Sequence, residues 1–120
     1  PHIAPGSGIV LYTSEACGTI LGADNVGERG KAAEQIGSEA AKLLVEEIES
    51  NAPVDRHMSD ILIPYLAVAD GRSEFRTSQI TMHTTTNARI AEIVSDAEVN
   101  IDGELGNPGT VKVKGIGLRP

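Results

Sequence analysis

Residues 54–87 read VDRHMSDILIPYLAVADGRSEFRTSQITMHTTTN, and the reading of this stretch decides the fold. Over 54–69, Met58, Ile61, Leu62, Leu66 and Ala69 recur at helical spacing, which predicts a helix with those residues lining one side. Its early polar residues are Asp55, Arg56, His57 and Asp60. Pro64 is expected to kink this helix or end its first half, because proline removes a backbone N–H and crowds the preceding turn. DGRS at 70–73 reads as a turn and 75–82 as a strand. His83-Thr84-Thr85-Thr86-Asn87 follows, supplying candidate N-caps for a helix that should turn Ile90, Ile93 and Val94 inward.

Working outward, 8–14 (GIVLYTS) is β-rich, and 16–30 holds four glycines without a clear period, as a loop or irregular strand would. Over 31–50 a helical pattern places Ile36, Ala40, Leu43, Leu44 and Ile48 at three- and four-residue spacing, and Pro53 forbids its continuation. Toward the C-terminus Val99 and Ile101 alternate in one strand and Val111 and Val113 in another, with GELGNPG as the turn between. The order β-α-α-β-α-β-β predicts an α/β (α+β) sandwich, a small mixed sheet covered by helices. Residues 1–7 read as a linker and 8–120 as one α/β unit. The first residue is Pro1, not methionine, and the chain is expected to be a piece of something longer.

The core must be aliphatic, since Tyr12, Tyr65 and Phe75 are the only aromatic residues. No apolar run approaches a membrane span and no signal-peptide pattern opens the chain. A single cysteine, Cys17, excludes an internal disulfide and fits a reducing compartment, so a soluble, cytoplasmic chain without membrane partners is expected. The net charge is −7, with acids gathered at Glu46, Glu47 and Glu49 and again at Asp96, Glu98, Asp102 and Glu104. A protein that binds nucleic acid mainly by neutralising phosphates carries a basic patch, so tight RNA binding by this piece alone is not expected.

His83 stands where a strand should end and a helix begin. A helix N-terminus offers unpaired N–H groups and partial positive charge to a phosphate, and Thr84, Thr85 and Thr86 add hydroxyl donors. A neutral imidazole there could attack phosphorus; equally, it could simply cap a strand end or the following helix. His57 and Asp60, three residues apart, share a helix face, where the carboxylate could orient the imidazole or be part of a solvated helix start. Glu28-Arg29-Gly30-Lys31 could touch a phosphate or be a solvated helix entry, and it lacks the P-loop pattern. His57, Asp60, His83 and Cys17 show no recognised zinc spacing, and His2 falls in the linker, so no metal site is assigned to this chain.

Three segments, GERGKAAEQIGSEAAKLLVEEIES, VDRHMSDILIPYLAVADG and SQITMHTTTN, resemble in that order the C-terminal part of the RNA 3'-terminal phosphate cyclases. The resemblance runs from about Gly8 to the end and is densest between Val54 and Asn87. It implies a βαβαββ-type two-layer sandwich unit, of the kind shared with enolpyruvate transferases, with an extra preceding helix. It also implies a mechanism in which a histidine takes up AMP from ATP, with a divalent metal (Mg or Mn) present. AMP then passes to an RNA 3'-phosphate and the 2'-hydroxyl closes a 2',3'-cyclic phosphate.

On that resemblance His83 matches the nucleophilic histidine. The family's His/Tyr-Leu-Ala-Asp-Gln helix motif, which contacts the adenylate, falls on His57, Met58, Ser59, Asp60 and Ile61. His57 and Asp60 fit as nucleotide-binding residues; Ile61 replaces the glutamine and cannot make an amide's hydrogen bonds. Family members are nearly three times this length, and the acidic and arginine contacts of their N-terminal portion have no counterpart here. The implied partners are RNA 3'-phosphate ends and the remainder of the cyclase chain, and the fragment alone should be inactive. Two other readings remain: a non-catalytic cyclase-like scaffold in ribosomal RNA processing, and an unrelated α/β binding module.

Overall fold

The computed structural model describes residues 6–14 and 18–119; His2, Cys17 and most of the linker span lie outside them. The chain divides into two compact units, Pro1–Ser50 and Asn51–Pro120. The boundary falls just before Pro53, inside the 8–120 span that the sequence suggests as one unit.

In the first unit, β1 (Gly8–Tyr12) and β2 (Gly22–Val26) pair antiparallel, with Gly8 opposite Val26 and Tyr12 opposite Gly22. The glycine-rich stretch thus contains a short strand. The helix α1 (Ala33–Glu49) packs on this hairpin and buries Ile36 and Ala40, as the spacing predicts. Counting on at helical spacing reaches half-buried Leu43 and then Glu47, which is buried, while Ile48 falls off that stripe and is exposed.

Lys31 and Glu39 form an ion pair beside Asn25, whose Nδ2 donates to Glu39 Oε2 at 2.9 Å. The hydrogen bond from Lys31 holds the Glu39 carboxyl below its ordinary value, with Asn25 adding to it against partial desolvation. The same bond raises Lys31. The Glu39 contribution is therefore present at neutral pH and lost as pH falls through its lowered pKa. The Lys31 contribution is lost as pH rises through its raised pKa. Substituting Glu39→Gln should flatten the acid limb of a stability-against-pH curve measured by urea unfolding; an unchanged acid limb contradicts this assignment.

The second unit runs α2 (Arg56–Val68), β3 (Asp70–Thr77), α3 (Met82–Ser95), β4 (Glu98–Asp102) and β5 (Gly109–Ile116). Its sheet has the order β3-β5-β4 with both pairings antiparallel, Phe75 opposite Val111 and Val99 opposite Val113. The fold is α+β. The expected mixed sheet is replaced by two antiparallel sheets, and the described parallel pairings are the isolated bridges Val54–Thr77 and Ile80–Leu105. The core joins Ile63 and Ala67 of α2, Ala88 and Ala91 of α3, Ile80, Ala97, and Val111 and Val113 of β5. Leu66, Phe75, Val99 and Ile101 pack against it.

Four local expectations are corrected. DGRS is the start of β3 and not a turn: Gly71, at φ +95, absorbs the change of direction after α2 and pairs with Gly115. The strand expected over 75–82 ends at Thr77, because Thr81 caps α3 and draws Met82 and His83 into the helix. In α2 the buried residues are Ser59, Ile63 and Ala67, while Met58 and Ile61 are exposed. In α3 they are Thr84, Ala88 and Ala91, and Ile90, Ile93 and Val94 point outward. Small and hydroxyl side chains face inward because the two helices lie close together and Ser59 and Thr84 satisfy one another there.

Gly115 sits where β5 passes under the end of α2. A Cβ there would run into the carbonyl oxygens of Leu66 and Ala69, and the Ala69 carbonyl also accepts the Gly117 N–H at 2.9 Å. Backbone cannot step aside as a side chain can. Gly115→Ala should therefore cost about 1–3 kcal/mol, read as a lower urea midpoint. An unshifted midpoint contradicts the close approach.

Candidate functional site

Both helices of the second unit begin with a side-chain cap. Asp55 precedes α2, and its Oδ1 accepts the N–H groups of His57 (3.0 Å) and Met58 (2.7 Å). Thr81 precedes α3 in a reciprocal capping box: Thr84 N–H donates to Thr81 Oγ1 (3.1 Å) and Thr81 N–H to Thr84 Oγ1 (3.3 Å). His57 and His83 consequently occupy the same place, the second residue of their helices. His83 lies inside the first turn of α3, not ahead of it as the sequence suggested.

Two bonds hold the helix starts together. Ser59 Oγ and Thr84 Oγ1, both fully buried, are 2.9 Å apart. Asn87 Nδ2 donates to the Asp60 carbonyl at 3.1 Å. Further along, Pro64, Ala67 and Val68 face Ile90, Ala91 and Val94 across one groove. The helices therefore run side by side in the same direction, and their N-termini share one end of the unit.

Pro64 neither ends nor breaks α2. It lacks the N–H that would reach the Asp60 carbonyl four residues back, and Asn87 supplies the missing donor from the neighbouring helix. This explains how the helix runs uninterrupted from Arg56 to Val68.

The shared end carries the positive ends of two helix dipoles, with the Asp55 carboxylate and the Thr81 hydroxyl already holding the N–H groups of His57, Met58 and Thr84. It also carries two exposed imidazoles, His57 and His83, and the half-buried carboxylate of Asp60. Among the described residues no side-chain hydrogen bond joins these three, so the structure brings them to one end without making them a hydrogen-bonded set. The arrangement suits a phosphate group, which helix N-termini attract, beside an accessible nitrogen nucleophile.

No group of three His, Cys, Asp or Glu side chains among the described residues could hold a metal ion. The described residues do not by themselves fit a resident Mg or Mn ion. Lys31, a candidate phosphate contact by sequence, is engaged with Glu39 in the first unit, and Arg29 is exposed there.

Sequence reading missed Ser59, Thr81 as a cap, Thr84 as an anchor, and Asn87. Two signals were available. Thr81 and Thr84 have capping-box spacing, and a proline inside a helix leaves unbonded the carbonyl four residues earlier, here that of Asp60.

A family model described as RNA 3'-terminal phosphate cyclase matches residues 3–101. The chain is 46% identical over 121 residues to an RNA 3'-terminal phosphate cyclase of Desulfurococcus amylolyticus, covering all of this chain and 34% of that protein. It is 45% identical to the one from Staphylothermus marinus with the same coverage. To the one from Methanopyrus kandleri it is 44% identical, over 95% of this chain and 32% of that protein. The chain thus spans about a third of the length of these relatives. With most of its residues matched, the chain belongs to the RNA 3'-terminal phosphate cyclase family.

Proposed function

We propose that this chain is the nucleophile-bearing C-terminal part of an ATP-dependent RNA 3'-terminal phosphate cyclase, with His83 as the residue that takes up AMP. The observation that carries this reading is the placement of His83: an exposed imidazole in the first turn of α3, beside the start of α2 with His57 and Asp60. An imidazole nitrogen of His83 attacks the α-phosphorus of ATP, a P–N bond forms, and pyrophosphate leaves as the P–O bond breaks. An oxygen of the RNA 3'-phosphate then displaces the imidazole and takes AMP. Finally the 2'-hydroxyl attacks the terminal RNA phosphorus, loses its proton and expels AMP. The helix N-termini favour the phosphate charge, and His57 and Asp60 bind the adenylate. Holding the 2'-hydroxyl beside an activated phosphate gives it a high effective concentration.

The remainder of the cyclase chain is the second partner in this reading. Ile61, Tyr65, Val68, Ile90 and Val94 are between 38% and 78% exposed along α2 and α3, an apolar face suited to burial against further protein. Alone, this chain should form the AMP adduct poorly or not at all. No described helix is long and apolar enough to cross a membrane. A cytoplasmic location rests on the single cysteine.

Incubating the full-length protein with ATP and an RNA ending in a 3'-phosphate should yield 2',3'-cyclic phosphate ends. Ile61, half exposed beside Asp60 where the family's motif has glutamine, favours a second reading as a non-catalytic scaffold in ribosomal RNA processing. Intact protein that leaves the RNA end unchanged would support the scaffold.

A further inference from the structure

The first turns of α2 and α3 are tied by two bonds that flank the site. Ser59, one partner, immediately precedes Asp60; Thr84, the other, immediately follows His83. Asn87, one helical turn beyond His83, holds the carbonyl of Asp60 itself. We infer that Ser59, Thr84 and Asn87 are positioning residues that fix the His83 imidazole relative to Asp60 for attack on the nucleotide. This rests on the adenylylation reading given above.

The hydroxyl network closes without conflict. A hydroxyl can donate once and accept twice. Thr84 can donate to Ser59 while accepting from the Thr81 N–H (3.3 Å) and the Thr81 hydroxyl (3.0 Å). Ser59 then donates to the Arg56 carbonyl (3.4 Å). Thr84 thus builds the turn that carries His83 and bonds it to the neighbouring helix with the same oxygen. Being fully buried, it has no water to substitute for a lost partner.

Asn87 answers a vacancy that Pro64 creates. An ordinary residue at position 64 would offer its N–H to the Asp60 carbonyl within α2, and the Asn87 amide would then share an acceptor that is already bonded. With proline, that carbonyl bonds to the helix that bears His83. The pair therefore converts a bond within one helix into a bond between two.

Pro64 also makes the role separable from mere stability. Asn87→Leu keeps the side-chain size and removes the donor. Adding Pro64→Ala restores an N–H to the Asp60 carbonyl but not the link between helices. In the full-length protein, AMP loading in a single turnover at saturating ATP should fall about ten- to a hundredfold in Asn87→Leu, the scale of a small misplacement of reacting groups. The double variant should regain the melting temperature and remain slow. Thr84→Ser should load close to the wild-type rate and Thr84→Val should not.

Recovery of rate together with stability in the double variant overturns the inference, as does wild-type loading by both Asn87→Leu and Thr84→Val. If either variant fails to fold, Ser59→Ala, which removes one buried bond, should show the same slowing. A wild-type protein that loads no AMP fails the adenylylation reading, and the inference falls with it. Loading by wild type at the same rate as the variants sinks the positioning role alone.

Discussion

His83→Ala in the full-length protein should reduce covalent AMP loading by roughly a thousandfold or more, because the proposed nucleophile is removed. The neighbouring hydroxyls are poor substitutes. Thr84 is buried in the hydroxyl network, and the Thr85 hydroxyl donates to the Met82 carbonyl at 3.0 Å. Thr86 is exposed, but an unactivated hydroxyl is a weak nucleophile near neutral pH. His57 is also exposed, at the start of the parallel helix, and residual label on it is the sharpest rival outcome. The substitution should leave the fold intact. His83 is exposed in a helix whose cap is supplied by Thr81 and Thr84, and surface changes of this kind usually stay within about 0.5 kcal/mol. Loss of loading with an unchanged melting temperature is the expected pattern; equal label in variant and wild type removes His83 as the nucleophile.

The largest expected loss of stability lies at Ile63. Its side chain has no exposed surface and belongs to the core cluster that includes Ala67, Ile80, Val111 and Val113. Ile63→Ala removes apolar contact and leaves a cavity that the small alanines around it cannot fill. The cost should be about 2–5 kcal/mol. Against the 5–15 kcal/mol typical of a whole domain, that is roughly enough to populate the unfolded state at modest urea concentration. Ile93 is the matching control. It was expected inward from the sequence but is 66% exposed, so Ile93→Ala should shift the midpoint little. If the two variants lose equal stability, the packing face of α3 has been assigned wrongly.

That contrast shows where the sequence was legible. Ile36 and Ala40 followed the helical period into the interior of the first unit, and the alternating valines of the last two strands face the core. The period failed in α2 and α3, where the apolar residues largely lie on an exposed face and the buried contact is made by serine, threonine and alanine. Hydrophobicity cannot announce a contact whose attraction is a hydrogen bond between two hydroxyls. The start of α3 was missed by a few residues because a threonine capping box is weaker in sequence than the usual Ser/Thr with Glu. Of the site, His83, His57 and Asp60 could be singled out from residue type and motif. The ties between Ser59 and Thr84, and between Asn87 and Asp60, span 25 and 27 residues and are set only when the helices pack.

The most direct measurement locates the adduct itself. The full-length protein would be loaded with ATP labelled at the α-phosphorus, digested with trypsin, and its labelled peptide sequenced. Cleavage after Arg76 and Arg89 gives residues 77–89, TSQITMHTTTNAR, in which His83 is the only histidine. Cleavage after Arg56 and Arg72 gives residues 57–72, which carry His57. The predicted result is label on residues 77–89, lost in acid and kept in alkali as a P–N bond requires. Label on residues 57–72, or an acid-stable linkage on a threonine, would contradict the assignment of His83.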